Sequence, residues 1–148
     1  MKIEVTSTSF NPWTTLSSYE ESLITQHGKC GAVTTFIGQM RDYNEGDSVQ
    51  SMFLEHYPGM TEKYLSQLSE EALRRWDILD TLIIHRVGNM QPGDTIVLVA
   101  VWAGHRAPAF EACRFLIEEL KFKAPFWKRE QLSDGTRWVE KNTAGKCD

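Results

Sequence analysis

Apolar and polar positions along the chain repeat at two periods, near two residues and near four, and stretches of each kind take turns. Ile3 to Phe10 has the alternation of an edge strand. Ser17 or Ser18 then caps a helix that carries Tyr19, Leu23 and Ile24 and closes at Gly28. Gly31 to Met40 is rich in β-branched and aromatic residues and predicts a strand. A polar loop with Asn44 and Gly46 spans Arg41 to Ser48, and Val49 to Tyr57 predicts another strand, ended by Pro58-Gly59.

The second half is more strongly patterned. Met60 to Trp76 is an amphipathic helix: Met60, Tyr64, Leu68 and Ala72 recur every fourth residue beside Leu65 and Trp76, while Glu62, Lys63, Glu70, Glu71 and Arg74 face out. Leu82 to Val87 predicts a strand, and Gln91-Pro92-Gly93-Asp94 turns the chain into Thr95 to Ala103. That run is apolar on both faces, the pattern of a central strand covered on both sides. Pro108 opens a helix with a buried stripe of Phe110, Cys113, Ile117 and Leu120, and Pro125 stops it. Phe126 to Leu132 and Thr136 to Lys141 flank Ser133-Asp134-Gly135, a hairpin signal, and Gly145 to Asp148 is a tail. No repeat, low-complexity segment or linker interrupts residues 1–148. The expected fold is one α+β domain with a mainly antiparallel sheet, packing helices and a C-terminal hairpin.

Composition supports a core, with 41% hydrophobic residues, 5 Trp, 7 Phe and 4 Tyr, and excludes a disordered chain. The longest apolar run, Ile96 to Ala103, is far short of the about 20 residues of a membrane-spanning helix. Met1-Lys2-Ile3-Glu4-Val5 lacks the apolar stretch of a signal peptide. Cys30, Cys113 and Cys147 are odd in number and far apart, which suggests neither a zinc site nor a disulfide framework and fits a reducing cytoplasm. The net charge of −4 argues against a general nucleic-acid binder. It is also uneven: residues 1–104 carry 7 basic and 13 acidic groups, and residues 105–148 carry 9 and 7. Positive charge gathered in one stretch of an acidic chain is a sign of an anion site.

There is no Gly-rich phosphate loop, His-Glu-x-x-His or Gly-x-Ser-x-Gly. The four histidines, His27, His56, His85 and His105, are scattered, and a scattered histidine is more often a satisfied or surface side chain than a ligand. His105-Arg106 falls where the central strand meets the next helix, a place where backbone N–H groups and the helix dipole favour an anion. Lys121 sits four residues after Ile117, at the edge of the buried stripe. Lys128 lies beyond Pro125 and meets it only if the chain folds back there. A lysine held beside apolar surface and other cations has its ammonium form disfavoured, which suits acid–base or nucleophilic chemistry. Lys123 pairs with Glu119 and Arg114 with Glu118 at helical spacing, and Glu118 is also within reach of Lys121. Arg41 closes a strand carrying Phe36 and Gly38. Cys113 lies on a core stripe and no cysteine falls inside the basic cluster, so an internal thiolate nucleophile is not expected.

Five segments together carry a family resemblance: Leu54-Glu55-His56-Tyr57-Pro58-Gly59-Met60, Ile84-His85-Arg86-Val87-Gly88, Pro92-Gly93-Asp94, His105-Arg106 with Phe110-Glu111-Ala112, and Leu120-Lys121 with Ala124-Pro125-Phe126-Trp127-Lys128-Arg129-Glu130. From about Gly31 to Glu140 the chain resembles the large, catalytic subunit of molybdopterin synthase. The resemblance implies an α+β homodimer flanked by two small ubiquitin-like subunits, a two-plus-two heterotetramer. Each small subunit ends in a Gly-Gly thiocarboxylate that enters a pocket and donates sulfur to cyclic pyranopterin monophosphate, and two transfers make the dithiolene of molybdopterin. It implies no resident cofactor or metal.

Carried over by position, the resemblance makes Lys121 and Lys128 catalytic. Gln39, Met40, Arg41, His105, Arg106, Arg129 and Glu130 join the two lysines in binding substrate, with His105-Arg106 reaching from the neighbouring subunit and Glu130 orienting Lys128. Gln39 stands where many relatives carry a basic residue. Two other readings remain beside it. One is a non-catalytic binder of a phosphorylated metabolite. The other is a single-strand binder stacking bases on Phe122, Phe126 and Trp127, which the charge balance disfavours.

Overall fold

In a computed structural model, the chain is described over residues 1–23, 26–44, 46–133 and 135–139. Its elements run in the order β1 (Lys2–Thr6), α1 (Pro12–Glu21), β2 (Ala32–Gln39), β3 (Tyr43–Asn44), β4 (Asp47–His56), α2 (Met60–Arg75), β5 (Ile78–Arg86), β6 (Gly88–Met90), β7 (Thr95–Ala103), α3 (Arg106–Lys123), β8 (Phe126–Leu132) and β9 (Gly135–Val139). The doubly apolar run does become an interior strand. β7 lies between β5 and β2 in a sheet of order β1-β5-β7-β2, antiparallel except for the parallel β1–β5 pair. Val97, Val99 and Val101 face the main core with α2 and α3, whereas Leu98, Ala100 and Trp102 face a second cluster with Leu16, Tyr19 and Leu23. A second sheet has the order β3-β4-β8-β9, with β6 also paired to β4. The α+β expectation holds.

The differences from the sequence reading have local causes. β1 stops at Thr6, where its hydroxyl accepts the Thr8 N–H at 3.1 Å, rather than running to Phe10. The first helix is capped by Asn11, whose side-chain oxygen accepts from the backbone of Trp13 and Thr14, and Pro12 follows as its first residue. Ser17 and Ser18 are therefore inside α1, which ends at Glu21, well before Gly28. Residues 41–48, read as a loop, include the β3–β4 hairpin, with Gly46 at a φ of 82°. β5 begins four residues earlier than expected, and β6 had no strong pattern of its own.

Met60 and Phe110 are 60% and 62% exposed, so neither belongs to its helix's buried stripe. The stripes are Leu65, Leu68 and Ala72 in α2, and Ala109, Ala112, Cys113, Leu116, Ile117 and Leu120 in α3. Ile24, Asp134, the end of the last predicted strand at Glu140-Lys141, and the 145–148 tail with Cys147 lie outside the described residues.

Asn11→Ala is expected to cost about 1 kcal/mol in chemical denaturation, as loss of an N-cap does. Ser17→Ala and Ser18→Ala, at exposed helix-interior positions, should each stay within about 0.5 kcal/mol of the parent.

Candidate functional site

The last turn of α3 carries Lys121, and the helix stops because Ala124 turns extended ahead of Pro125. The chain then reverses and pairs as β8 with β4, placing Lys128 opposite Leu54. Alternation along β8 sends Phe126, Lys128 and Glu130 inward and Trp127, Arg129 and Gln131 outward. The two lysines thus meet, although no single element contains both.

They separate two cavities. One, of about 410 Å³, is lined by Gln39, Met40, Arg41, Asn44 and Glu130, among others. The other, of about 340 Å³, is walled by His85, Phe122, Phe126, Trp127 and Trp138. Lys121, Lys128 and Val139 line both.

Burial is the main reason that the Lys121 ammonium is disfavoured, and the charge and hydrogen bond of Lys128 and the charge of Arg41 add to it, bringing its pKa down to about 7. Lys128 is also pushed down by burial, but the Glu130 carboxylate opposes the shift. In their mutual hydrogen bond Lys121 accepts as the amine and Lys128 donates as the ammonium, since the bond lowers the first and raises the second. Glu130, only 6% exposed, is held by two donor groups: Asn44 Nδ2 at 3.1 and 3.2 Å from its two oxygens, and Arg137 Nε at 3.0 Å. Arg137 also donates to Asp47 and to the Asn44 carbonyl, both at 2.7 Å, and so ties β9 to the β3–β4 hairpin.

His85 is 2% exposed. Its ring stacks on Phe126 at 4.0 Å and 21°, and its Nδ1 lies 2.8 Å from the Arg86 carbonyl oxygen. Burial first, then the charges of Lys121, Lys128 and His56, bring its pKa down to about 3, so the imidazole is neutral. Only one ring nitrogen of a neutral imidazole carries hydrogen, and the carbonyl can only accept, so the proton is on Nδ1.

Gln39, Met40, Arg41, Lys121, Lys128 and Glu130 are therefore brought together, as the sequence reading expected. Arg129 is not. It leaves the opposite face of β8 and lies over the rings of Phe53 and Trp138, at 5.4 and 5.8 Å. His105 and Arg106 begin α3, exposed, and line neither cavity. Fifteen residues separate Arg106 from Lys121 on one helix, about 22 Å along its axis. Cys113 is buried, and burial pushes its thiol up to about 12, so it is not a nucleophile.

Asn44, His85 and Arg137 were not singled out from sequence. Arg137 was open to detection, since the antiparallel register of β8 and β9 sets it opposite Glu130. His85 was not, because its burial depends on β8 folding over it. Among the described residues, no group of three or more His, Cys, Asp and Glu side chains is arranged to hold a metal ion.

Known proteins resemble this chain in sequence and fold. The family model described as "MoaE protein" matches residues 11–123. The molybdopterin synthase catalytic subunit of Pseudomonas aeruginosa is 46% identical over 147 residues, covering 99% of this chain and 93% of that one. That extends the likeness on both sides of Gly31 to Glu140. The subunit of the same name from Ralstonia nicotianae is 57% identical over 110 residues, which are 74% of this chain but 62% of that longer one. The crystal structure of molybdopterin synthase from Staphylococcus aureus superposes with a TM-score of 0.82 at 34% identity, covering 94% of this chain and 98% of that one. By the family match and by these relatives, the chain belongs to the MoaE protein family.

Proposed function

We propose that this chain is the catalytic subunit of a molybdopterin synthase. It takes sulfur from the C-terminal thiocarboxylate of a small ubiquitin-like partner and delivers it to cyclic pyranopterin monophosphate. The observation that carries this reading is the lysine pair: two ammonium-bearing groups from separate elements, shared by two cavities, with one of them depressed to about 7. Such a pair provides a neutral amine and a cation side by side near neutral pH. The names of the P. aeruginosa and R. nicotianae relatives point to the same reaction.

In this reading the substrate's phosphate and the thiocarboxylate are both anions, and Arg41 and Lys128 neutralise them. Lys121, as the amine, contacts the thiocarboxylate and moves protons as the cyclic phosphate opens. Glu130, clamped by Arg137 and Asn44, keeps Lys128 charged and placed. Each transfer uses one thiocarboxylate, whose carbon–sulfur bond is replaced by a carbon–oxygen bond from water, so two transfers complete the dithiolene. The partner supplies the sulfur, which agrees with a buried, protonated Cys113.

His105 and Arg106 are about 22 Å from their own Lys121, so they serve an active site only as the contribution of a second copy. That requirement fits a homodimer within a two-plus-two assembly. No resident cofactor is called for. Among the described residues no helix is long and apolar enough to cross a membrane, and the reaction is assigned to the cytoplasm.

Lys121→Ala should lower dithiolene formation by about 10²–10⁴-fold with the fold intact by circular dichroism. Near-normal turnover of pterin substrate with thiocarboxylated partner would remove Lys121 from the mechanism. The wild-type rate should rise with pH through a midpoint near 7, because the working amine appears as Lys121 loses its proton, and Lys121→Ala should lack that limb. A rate that falls through the same range would reverse the assignment. Cys113→Ala and Cys147→Ala, once shown to be folded, should both transfer sulfur at close to the parent rate. Loss of transfer in either would route sulfur through this chain.

A further inference from the structure

The second cavity has an unusual distribution of hydrogen-bonding groups. Its lining consists of Leu54, Leu120, Ala124, Val139, four aromatic residues, the two lysines and His85. Phenylalanine has no polar atom, and an indole or an ammonium can only donate. Among the described residues that line this cavity, His85 is therefore the one side chain other than the Lys121 amine that can accept a hydrogen bond.

Its chemistry is further restricted. Nδ1–H is committed to the Arg86 carbonyl and the ring is stacked on Phe126, so position and tautomer are fixed and Nε2 carries the lone pair. The groups facing the ring are Lys121 from α3, Lys128 from β8 and His56 from β4. On the neighbouring strands its register partners are the uncharged Val5 and Val97. No carboxylate is among them, and burial and these cations outweigh the Arg86 carbonyl, which alone favours an imidazolium.

The geometry points to His85 as a positioning residue for the sulfur-transfer reaction: its Nε2 accepts an N–H of Lys121 and so fixes the direction of that amine's lone pair. This rests on the synthase reading above. The bonds then form one directed chain, from the Lys128 ammonium to the Lys121 nitrogen, from a Lys121 N–H to His85 Nε2, and from His85 Nδ1–H to the Arg86 carbonyl. Reversing the Lys121–His85 link requires an imidazole with its proton on Nε2. His85 therefore turns the Lys121 lone pair toward Lys128 and the first cavity, while Glu130 keeps the charge on Lys128. The residue moves no proton itself, because its conjugate acid is far too strong to be formed by Lys121.

Three variants of the full chain, each assembled with the thiocarboxylated partner, test this. His85→Phe keeps ring and stack but has no acceptor, and should lower kcat by about tenfold or more with KM for the pterin within about twofold. The Lys121 midpoint, followed by ¹³C NMR of its labelled Cε, should fall by about half a pH unit, since an ammonium gains more from an acceptor than an amine does. His85→Gln restores an acceptor near the Nε2 position and should keep kcat within about threefold of wild type. His85→Asn restores only the Nδ1 side and should resemble the Phe variant. A Phe variant with wild-type kcat and midpoint, or a Gln variant as impaired as Phe, overturns the proposal.

A measurement on the wild-type chain needs no variant to fold. ¹⁵N NMR of His85 should show hydrogen on Nδ1 and no titration between about pH 5 and 8, where an ordinary histidine ionises. A proton on Nε2, or titration in that window, also overturns it. These spectra use the chain without partner or pterin. If the wild-type assembly makes no dithiolene, the synthase reading fails, and the spectra still decide how His85 and Lys121 are arranged.

Discussion

Two lysine side chains held against each other in a partly closed space repel, and each also loses hydration. The site depends on that lost hydration first and on the contact second, because together they produce an amine at a pH where an isolated lysine is fully charged. The surrounding structure sustains the strain. α3 is anchored through six buried residues on the central sheet, so Lys121 cannot retreat with its backbone. β8 is paired on both sides, to β4 and β9, so Lys128 cannot retreat either. Between them Glu130 places the compensating negative charge nearer Lys128, and the pair becomes unequal. An unequal pair is what acid–base work needs, one member to hold charge and one to exchange a proton.

The clamp on Glu130 explains an otherwise odd feature of the fold. A two-residue β3 and a five-residue β9 are poor candidates for independent stability. Arg137 joins them through Asp47, the Asn44 carbonyl and Glu130, so hairpin geometry and site electrostatics rest on the same side chain. The rim of the first cavity is therefore built from short elements held by ionic contacts, whereas its floor is built from long ones held by apolar packing.

The long elements could be read from sequence because their patterns are redundant. β7 matched to the residue, and the helix before Pro125 and the strand after it were placed with Lys121 and Lys128 on facing elements. Elements whose limits depend on one polar contact were misplaced: Asn11 competes with two serines for the same cap, and nothing in the spacing distinguishes them before Pro12 is seen as the first helical residue. Met60 and Phe110 show the ambiguity of helical stripes, since a residue at the right interval can still fall just off the packed face. The polar 41–48 segment concealed a hairpin because its own pairs, Tyr43 with Ser48 and Asn44 with Asp47, carry no apolar alternation. Within the site, charge and spacing exposed the cations. Arg129 lies on the other face of β8, because a run of Lys-Arg-Glu needs the strand alternation applied to it before its sides separate. His85 was ordinary in sequence and became unusual only when tertiary packing enclosed it.

α3 joins His105-Arg106 to Lys121 without a break, and in doing so it acts as a gauge as well as a scaffold. A helix couples translation to rotation, about 1.5 Å and about 100° for each residue. One residue added or removed between Arg106 and Lys121 would hardly change the helix's length. It would turn the lysine about a quarter of the way round, out of the shared wall of the two cavities and away from Lys128. Phase, more than length, is what this helix has to conserve. The segment can exchange side chains on its exposed faces freely, while its residue count is held as strictly as the identity of any group in the site.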